Sequence, residues 1–278
     1  MSIDGISQLL EHVGLRANTF YAGPLCGLHG FAAGGGVGHL HVIRSGEMRA
    51  LQAGHGDIVV REPSLLFYPR PLDHRLDIEN TDVADVVCAS VRYDAGLENA
   101  ITQSFPAVVV IPFSALDRID VTLSALFAEA GETNRGRQVM LDRLCDILLI
   151  QIVRFAIQQK LVTRGVLAGL AHPRLARLLG ELLDNPQQPW TLETMAARAN
   201  LSRNGFANEF RNVVGSTPAE FLTRIRIAQA QRLLRKGRAV ALVAEEVGYN
   251  SQPAFSRAFI REIGLSPSAW ERESGRSK

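Results

Sequence analysis

Two short segments near the C-terminus carry residue types suited to reading nucleic-acid bases. In the first, Arg203, Asn204, Ala207, Asn208 and Arg211 share the helix face opposite Phe206 and Phe210. In the second, Gln252, Ala254, Ser256, Arg257 and Arg261 stand opposite Phe255 and Phe259. Side chains four positions apart lie on one face of a helix, so each Phe pair points into a core and leaves the other face outside. Arg and Asn have the bidentate geometry that reads guanine and adenine edges, and a short helix can carry them into the major groove. Cys26 and Cys88 are candidates for other chemistry, a thiol sensor of oxidants. In Cys26-Gly27-Leu28-His29 a neighbouring imidazolium would lower the thiol pKa, whereas Cys88 lies in an apolar strand, where an inert thiol is the default.

The elements that must present the two reading faces are duplicated. Phe206, Phe210, Gly215, Pro218 and Phe221 recur 49 positions later as Phe255, Phe259, Gly264, Pro267 and Trp270. In the first unit Thr191 is the expected N-cap of a supporting helix from Leu192 to Ala199, although Thr-x-x-Thr lacks the acid of a full capping box. Asn200-Leu201 makes the turn, and Ser202 caps a second helix reaching about Val213. The second unit repeats this with a helix from Ala239 to Val247, the turn Gly248-Tyr249-Asn250, and Ser251 as cap with Pro253 in the first turn. Between them, Pro218 to Leu234 reads as one long helix with Arg224, Arg226 and Arg232 on a face. It would set the distance between two reading heads, and successive major-groove segments on one DNA face lie about 34 Å apart.

Val243-Ala244-Glu245-Glu246-Val247-Gly248-Tyr249-Asn250-Ser251-Gln252, Phe255-Ser256-Arg257-Ala258-Phe259 and Gly264-Leu265-Ser266-Pro267 resemble the signature of the AraC/XylS family of transcriptional regulators. The resemblance covers about Trp190 to Glu271. It implies two helix-turn-helix units on a long helix, meeting adjacent major grooves of double-stranded promoter DNA. It also places the family's base contacts on Asn204, Ala207 and Asn208, then on Gln252, Ala254, Ser256 and Arg257. The first unit departs from the usual pattern. Gly205 costs roughly 1 kcal/mol inside a helix relative to Ala, and Ala207 offers only a methyl contact. Arg257 is therefore the foremost candidate for a guanine contact, with Arg203, Arg211 and Arg261 as phosphate contacts.

The N-terminal half reads differently. His39–Arg44, Ile58–Val60, Leu65–Tyr68 and Val86–Val91 are strand-like runs separated by Gly, Pro, Asp and Asn, with a turn at Ser45-Gly46 and a loop at Gly34-Gly35-Gly36. Helical periodicity follows from Ile119 to Ala130 and from Met140 to Gln159. The second helix is apolar on several faces and could meet the barrel and a partner subunit, or be buried within its own domain. Gly165 to Pro173 reads as a linker. The fold expected is thus a cupin-like antiparallel β-barrel plus helices over 1–165 and an all-α double helix-turn-helix domain over 172–278.

The cupin likeness rests on His39-Leu40-His41, Gly56-Asp57-Ile58-Val59 and Leu66-Phe67-Tyr68-Pro69 leading to His74. By that resemblance a metal would be held by His39, His41, Glu47 and His74; an organic effector inside the barrel is the reading preferred, and no cofactor is expected. The rival reading is a metal-dependent cupin enzyme fused to a helical domain, with no acid, base or nucleophile set to recommend it.

Composition agrees with the regulator. From Pro173 onward there are 16 Lys+Arg against 10 Asp+Glu, while the preceding residues hold 14 against 18. A basic C-terminal part on an acidic N-terminal part suits a nucleic-acid module joined to a different domain. No apolar run reaches the roughly 18–20 residues that span a bilayer. Met1-Ser2-Ile3-Asp4 opens no signal peptide, and three scattered cysteines fit a reducing cytosol. The expectation is a cytoplasmic, non-enzymatic transcription regulator, an activator of the bacterial type, answering to a small molecule or oxidant. Its expected partners are promoter DNA, RNA polymerase and a second copy of itself.

Overall fold

The computed structural model describes residues 5–33, 36–52, 54, 56–79, 83–93, 101–116 and 119–275. Gly34 and Gly35 of the expected glycine loop lie outside them. The chain divides into two compact units, described in turn.

One unit comprises 15–93 and 105–162. Its strands are β1 (Arg16–Leu25), β2 (Gly27–Phe31), β3 (Gly38–Ser45), β4 (Met48–Gln52), β5 (Ile58–Val60), β6 (Ser64–Tyr68), β7 (His74–Ile78), β8 (Ala84–Arg92) and β9 (Val109–Pro112). They form two antiparallel sheets, β1-β8-β3-β6-β9 and β2-β7-β4-β5. Ile43, Met48, Ala50, Leu66, Leu76, Ile78, Val86 and Tyr68 pack between them. Side chains two apart on a strand share a face, so His41 of β3 enters the same interior as Ile43, and Cys88 of β8 the same interior as Val86.

Helices α2 (Ile119–Ala130) and α3 (Arg137–Gln158) pack on one another, and α3 lies along β1. β1 is the edge of the five-stranded sheet, a position whose free backbone groups invite other strands. Helix α3 occupies it: Thr19 N–H donates to Asp142 Oδ1 at 2.7 Å, Ala17 N–H to Asp146 Oδ1 at 2.7 Å, and Gln138 Nε2 donates to Thr19 O at 2.6 Å. Polar residues on this helix therefore close a sheet edge, while Leu141, Cys145, Leu148 and Ile152 are buried.

The other unit comprises 5–14, 101–104 and 163–275. It holds α1 (Gly5–Val13), α4 (Val166–Ala171), α5 (Ala176–Asp184), α6 (Leu192–Arg198), α7 (Arg203–Val214), α8 (Pro218–Arg235), α9 (Val240–Glu246), α10 (Gln252–Ile263) and α11 (Pro267–Gly275). Two expectations need correcting. The stretch 165–173, read as a linker, contains α4, whose Val166, Leu167, Gly169 and Leu170 are buried. A Cβ on Gly169 would sit 2.4 Å from Leu179 Cδ1 and 3.1 Å from Val214 Cγ2, so the helix is packed as closely as glycine allows. The boundary expected at 165–172 also moves: the helical unit begins at 163 and recruits α1, which packs on α4 and α5 through the fully buried Leu9.

The turn at Ser45-Gly46 forms with Gly46 at φ +92°, where a Cβ would lie 2.8 Å from Ala84 Cα and 3.1 Å from Val83 O. Strained dihedrals and a backbone clash coincide there, so Gly46→Ala should destabilise the sandwich by about 1–3 kcal/mol. Denaturant unfolding followed by circular dichroism would measure it; an unchanged midpoint would contradict this packing.

Candidate nucleic-acid interface and sensor cluster

Each helix-turn-helix is built from the repeated residues. Phe206, Phe210 and Phe221 form a chain of tilted rings with centroids 5.5 and 5.6 Å apart; Phe255, Phe259 and Trp270 repeat it at 5.6 and 6.0 Å. The Gly-x-x-Pro exits have a shared cause. Gly215 and Gly264 end α7 and α10 in the left-handed conformation, φ +86° and +82°. Thr217 and Ser266 then accept from Glu220 N–H and Ala269 N–H as caps, and Pro218 and Pro267 fill the first helical position. Ser202 and Ser251 cap the two reading helices as expected. Thr191 does more than expected: Thr194 Oγ1 accepts from Thr191 N–H at 2.9 Å while Thr191 Oγ1 accepts from Thr194 N–H at 3.2 Å, so a hydroxyl completes the capping box without an acid.

The repeat is not uniform. Reading helices α7 and α10 start 49 residues apart, but supporting helices α6 and α9 start 48 apart. The second turn is one residue longer. In the first turn Asn200 takes φ +54°; in the second Gly248 takes φ +88°.

On α7, Arg203, Asn204, Asn208 and Arg211 are exposed and Ala207 is half-buried. On α10, Gln252, Arg257 and Arg261 are exposed, with Ala254 and Ser256 half-buried. Arg203 pairs with Glu193 at 3.1 Å and Arg261 approaches Glu262 at 3.7 Å, both on the surface, where such pairs are weak. Arg257 makes no hydrogen bond or ion pair with described residues.

Arg226, read with Arg224 and Arg232 as one basic face of α8, is a tie within the domain. Its Nε donates to Pro186 O at 2.7 Å and its Nη2 to Gln188 O at 2.9 Å, while its guanidinium lies 5.6 Å from the Tyr249 ring centroid. Gly248 completes the joint, since a Cβ there would meet Gln187 Cα and O at 2.7 Å. The loop leading into the first head is thus clamped to the turn of the second.

In the sandwich, His39, His41 and His74 come together, all at most 6% exposed, with ring centroids 5.1–6.0 Å apart. Tyr68 stacks on His74 at 3.8 Å and Phe31 stacks on it at 5.1 Å. Glu47 does not join them: it is exposed on β4's approach and paired with Arg61 at 3.3 Å. Nor do the imidazoles fit a metal. His41 Nε2 and His74 Nε2 stand 2.8 Å apart, closer than the roughly 3.3 Å that two ligands at about 2.0–2.1 Å from a tetrahedral ion require. Cys88 Sγ faces the opposite nitrogen of His41, Nδ1, at 3.1 Å. Among the described residues no group of three or more His, Cys, Asp and Glu is placed to hold an ion.

Burial holds His39 below its ordinary pKa and His41 well below it, the neighbouring imidazoles adding to the effect on His41. His74 falls to about 4, mainly through burial, against the opposing hydrogen bond to Leu72 O. Burial pushes the Cys88 thiol up to about 12. Cys26 is exposed, and with Cys88, Phe20, Tyr21 and Phe31 it lines a cavity of about 340 Å³.

A duplicated helix-turn-helix presenting Arg and Asn, in one chain with a sandwich that encloses a polar cluster, defines a DNA-binding regulator with a sensing domain. Comparison with known proteins agrees. Residues 4–158 match the cupin family model and 195–273 a helix-turn-helix domain model. The chain is 29% identical over 241 residues to the RCS-specific HTH-type transcriptional activator RclR of Escherichia coli K12, covering 84% of this chain and 85% of that protein. It is 29% identical over 268 residues to the HTH-type transcriptional regulator MtrA of Neisseria gonorrhoeae, covering 86% and 84%. The DNA-binding domain of AdpA, solved with a target DNA, is 35% identical over 38% of this chain and 97% of that one, with a TM-score of 0.37. The chain belongs to the AraC-type transcription regulators with an N-terminal cupin domain.

Two outcomes follow. Arg226→Ala should lower stability by about 2 kcal/mol, the scale of a lost charged hydrogen bond. Arg226→Lys should not restore it, because one ammonium cannot hold both carbonyls and the ring; equal unfolding midpoints for Arg226→Lys and wild type would refute the tie. The histidines give a pH dependence. Their folded pKa values are depressed, so the unfolded chain binds more protons as pH falls through about 6.5 and stability is lost from there toward pH 4. A native His74 near 4 implies a loss of about 2 kcal/mol at pH 5 relative to pH 7. His74→Phe should be less sensitive in denaturant titrations, and an equal pH slope in both proteins would contradict the assignment.

Proposed function

We propose that the chain reads promoter DNA chiefly through α10, with Arg257 on a guanine edge and Gln252, Ala254 and Ser256 on neighbouring bases. Asn204, Ala207 and Asn208 of α7 make the lesser base contacts. Arg203, Arg211 and Arg261 meet phosphates and supply affinity without sequence preference. The observation carrying this reading is that Arg257 is exposed on the outer face of the capped reading helix with no partner of its own among the described residues. The regulator acts in the cytoplasm, contacts RNA polymerase as an activator and binds as a homodimer. For the last, Val139, Met140 and Ile147 leave one face of α3 apolar and exposed.

The signal enters at the cavity lined by Phe20, Phe31, Cys26 and Cys88, and its chemistry is oxidative. Two thiols in one cavity wall support this; so does the name of RclR, an RCS-specific activator. The signal shifts the regulator between states only insofar as it acts differently on them.

Arg257→Ala should cost about 1–3 kcal/mol on the specific site and relax preference at one base pair. Arg211→Ala should weaken all sequences alike and reduce the salt slope by about one. Binding titrations against a promoter fragment and single-base variants test both. Unchanged preference in Arg257→Ala would place the base reading elsewhere.

A further inference from the structure

We infer that the helical unit carries a binding site for a small phosphate-bearing molecule, formed by Arg164, Arg224, Ser216 and Gln103 at the exit of α7. It is independent of the Cys26–Cys88 cavity, which belongs to the other unit, and of the oxidative signal.

Three glycine-bearing segments build the cavity. Gly165 takes φ +101° and its N–H donates to Val213 O at 2.9 Å, which pins the neighbouring Arg164 beside the end of α7. A Cβ on Gly165 would overlap the Ser104 side chain, so the segments 101–104 and 164–166 meet closely. Gly215 ends α7 in the left-handed conformation, and a Cβ there would stand 3.1 Å from Arg164 Nε and 3.6 Å from its Cδ. One glycine therefore does two jobs: it closes the helix and gives the arginine a flat backbone to lie along. Buried Val166, Val214 and Phe221 supply the apolar part of the wall, and the space enclosed is about 220 Å³.

The donors decide the ligand. Arg164 is exposed and makes no hydrogen bond or ion pair with described residues. Ser216 lines the cavity at only 7% exposure, and its hydroxyl has no partner among the described residues. A hydroxyl buried to that extent is ordinarily satisfied. Arg224 is held loosely: Glu262 Oε2 stands 3.8 Å from its Nε, and the same carboxylate approaches Arg261 at 3.7 Å. Glu220, one turn before Arg224, is committed to the cap of α8, where it accepts from Thr217 N–H at 2.8 Å. Among the described residues no carboxylate lines the cavity. Two guanidinium forks, a hydroxyl and the Gln103 amide match a phosphate monoester. Its charge of about −2 balances both arginines, and its oxygens accept paired N–H groups from each fork. A monocarboxylate leaves one of the two charges unbalanced. The volume exceeds the roughly 150 Å³ that takes up a benzene ring, so a phosphoryl group fits together with a short body. An occupant ties 101–104 and 164–166 to the exit of the first reading helix.

Calorimetric titration of the full-length protein, at fixed ionic strength in phosphate-free buffer, tests this with glycerol phosphate, inorganic phosphate and propionate as probes. Glycerol phosphate should bind once per chain, at least tenfold more tightly than propionate. Arg164→Gln should weaken it roughly tenfold and Ser216→Ala about threefold. Arg174→Gln removes an exposed charge outside the cavity, one paired with Glu209 at 3.3 Å, and should leave binding unchanged. Inorganic phosphate binding as tightly as the ester upholds the site and makes free phosphate its occupant. Absence of saturable binding overturns the proposal, as does an equal loss in Arg164→Gln and Arg174→Gln, which marks general surface charge. A fall in promoter affinity in Arg164→Gln, with a salt slope smaller by about one, also overturns it, because it assigns this guanidinium to the DNA backbone.

Discussion

Arg226 is the interaction on which the DNA-binding geometry depends. Helix α8 belongs to both cores: Phe221 packs on Phe210 of the first head, while Ile227, Ala230 and Leu234 belong to the second cluster with Phe255, Phe259 and Trp270. A shared helix sets distance but leaves each head able to pivot about it. The guanidinium removes that freedom by bonding two carbonyls of the loop before α6 while lying against the Tyr249 ring. Gly248 lets the backbones touch. Rigid heads are needed because two recognition helices gain from adjacent groove segments only when their separation is set in advance; otherwise ordering them costs part of the second contact.

A different logic governs the sandwich. Most of its interior is aliphatic, but one end encloses His39, His41, His74, Tyr68 and Cys88. Buried polar groups are costly unless paired, and this network spends a backbone carbonyl, two imidazoles and a thiol to satisfy itself in series. The links run from Leu72 O through His74 and His41 to the Cys88 sulfur. Among the described residues His39 Nδ1 and Tyr68 Oη make no hydrogen bond, so this end is the less satisfied part of the interior.

Much of this was legible in the sequence because it repeats or alternates. The Phe pairs, the Gly-x-x-Pro exits and the serine caps report directly on helix geometry, and the alternation of His39 and His41 placed both inside the barrel. What escaped depends on partners distant in the chain. Arg226 sits on α8 at the same helical spacing as its basic neighbours, and spacing cannot tell water from the carbonyls of Pro186 and Gln188. The stretch 165–173 read as a linker, yet Gly169 permits close packing that only Leu179 and Val214 reveal. Glu47 had the right chemistry for a ligand set, but it sits in the turn between β3 and β4, exposed and paired with Arg61. The Cys88–His41 contact links β8 to β3 and is invisible until the strand register is known. Thr191 and Thr194 show the converse, in which local chemistry suffices but two hydroxyls do the work expected of an acid.

The central claim is that the chain presents two reading heads at a fixed separation. Its most direct measurement is the affinity of the full-length protein for DNA carrying both recognition segments with 0, 5 or 10 base pairs inserted between them. The account predicts tight binding without insertion and a loss at 5 base pairs, where the segments face opposite sides of the duplex. It predicts no recovery at 10, because about 34 Å is added to a span that cannot stretch. Affinity that is indifferent to the insertions would contradict it.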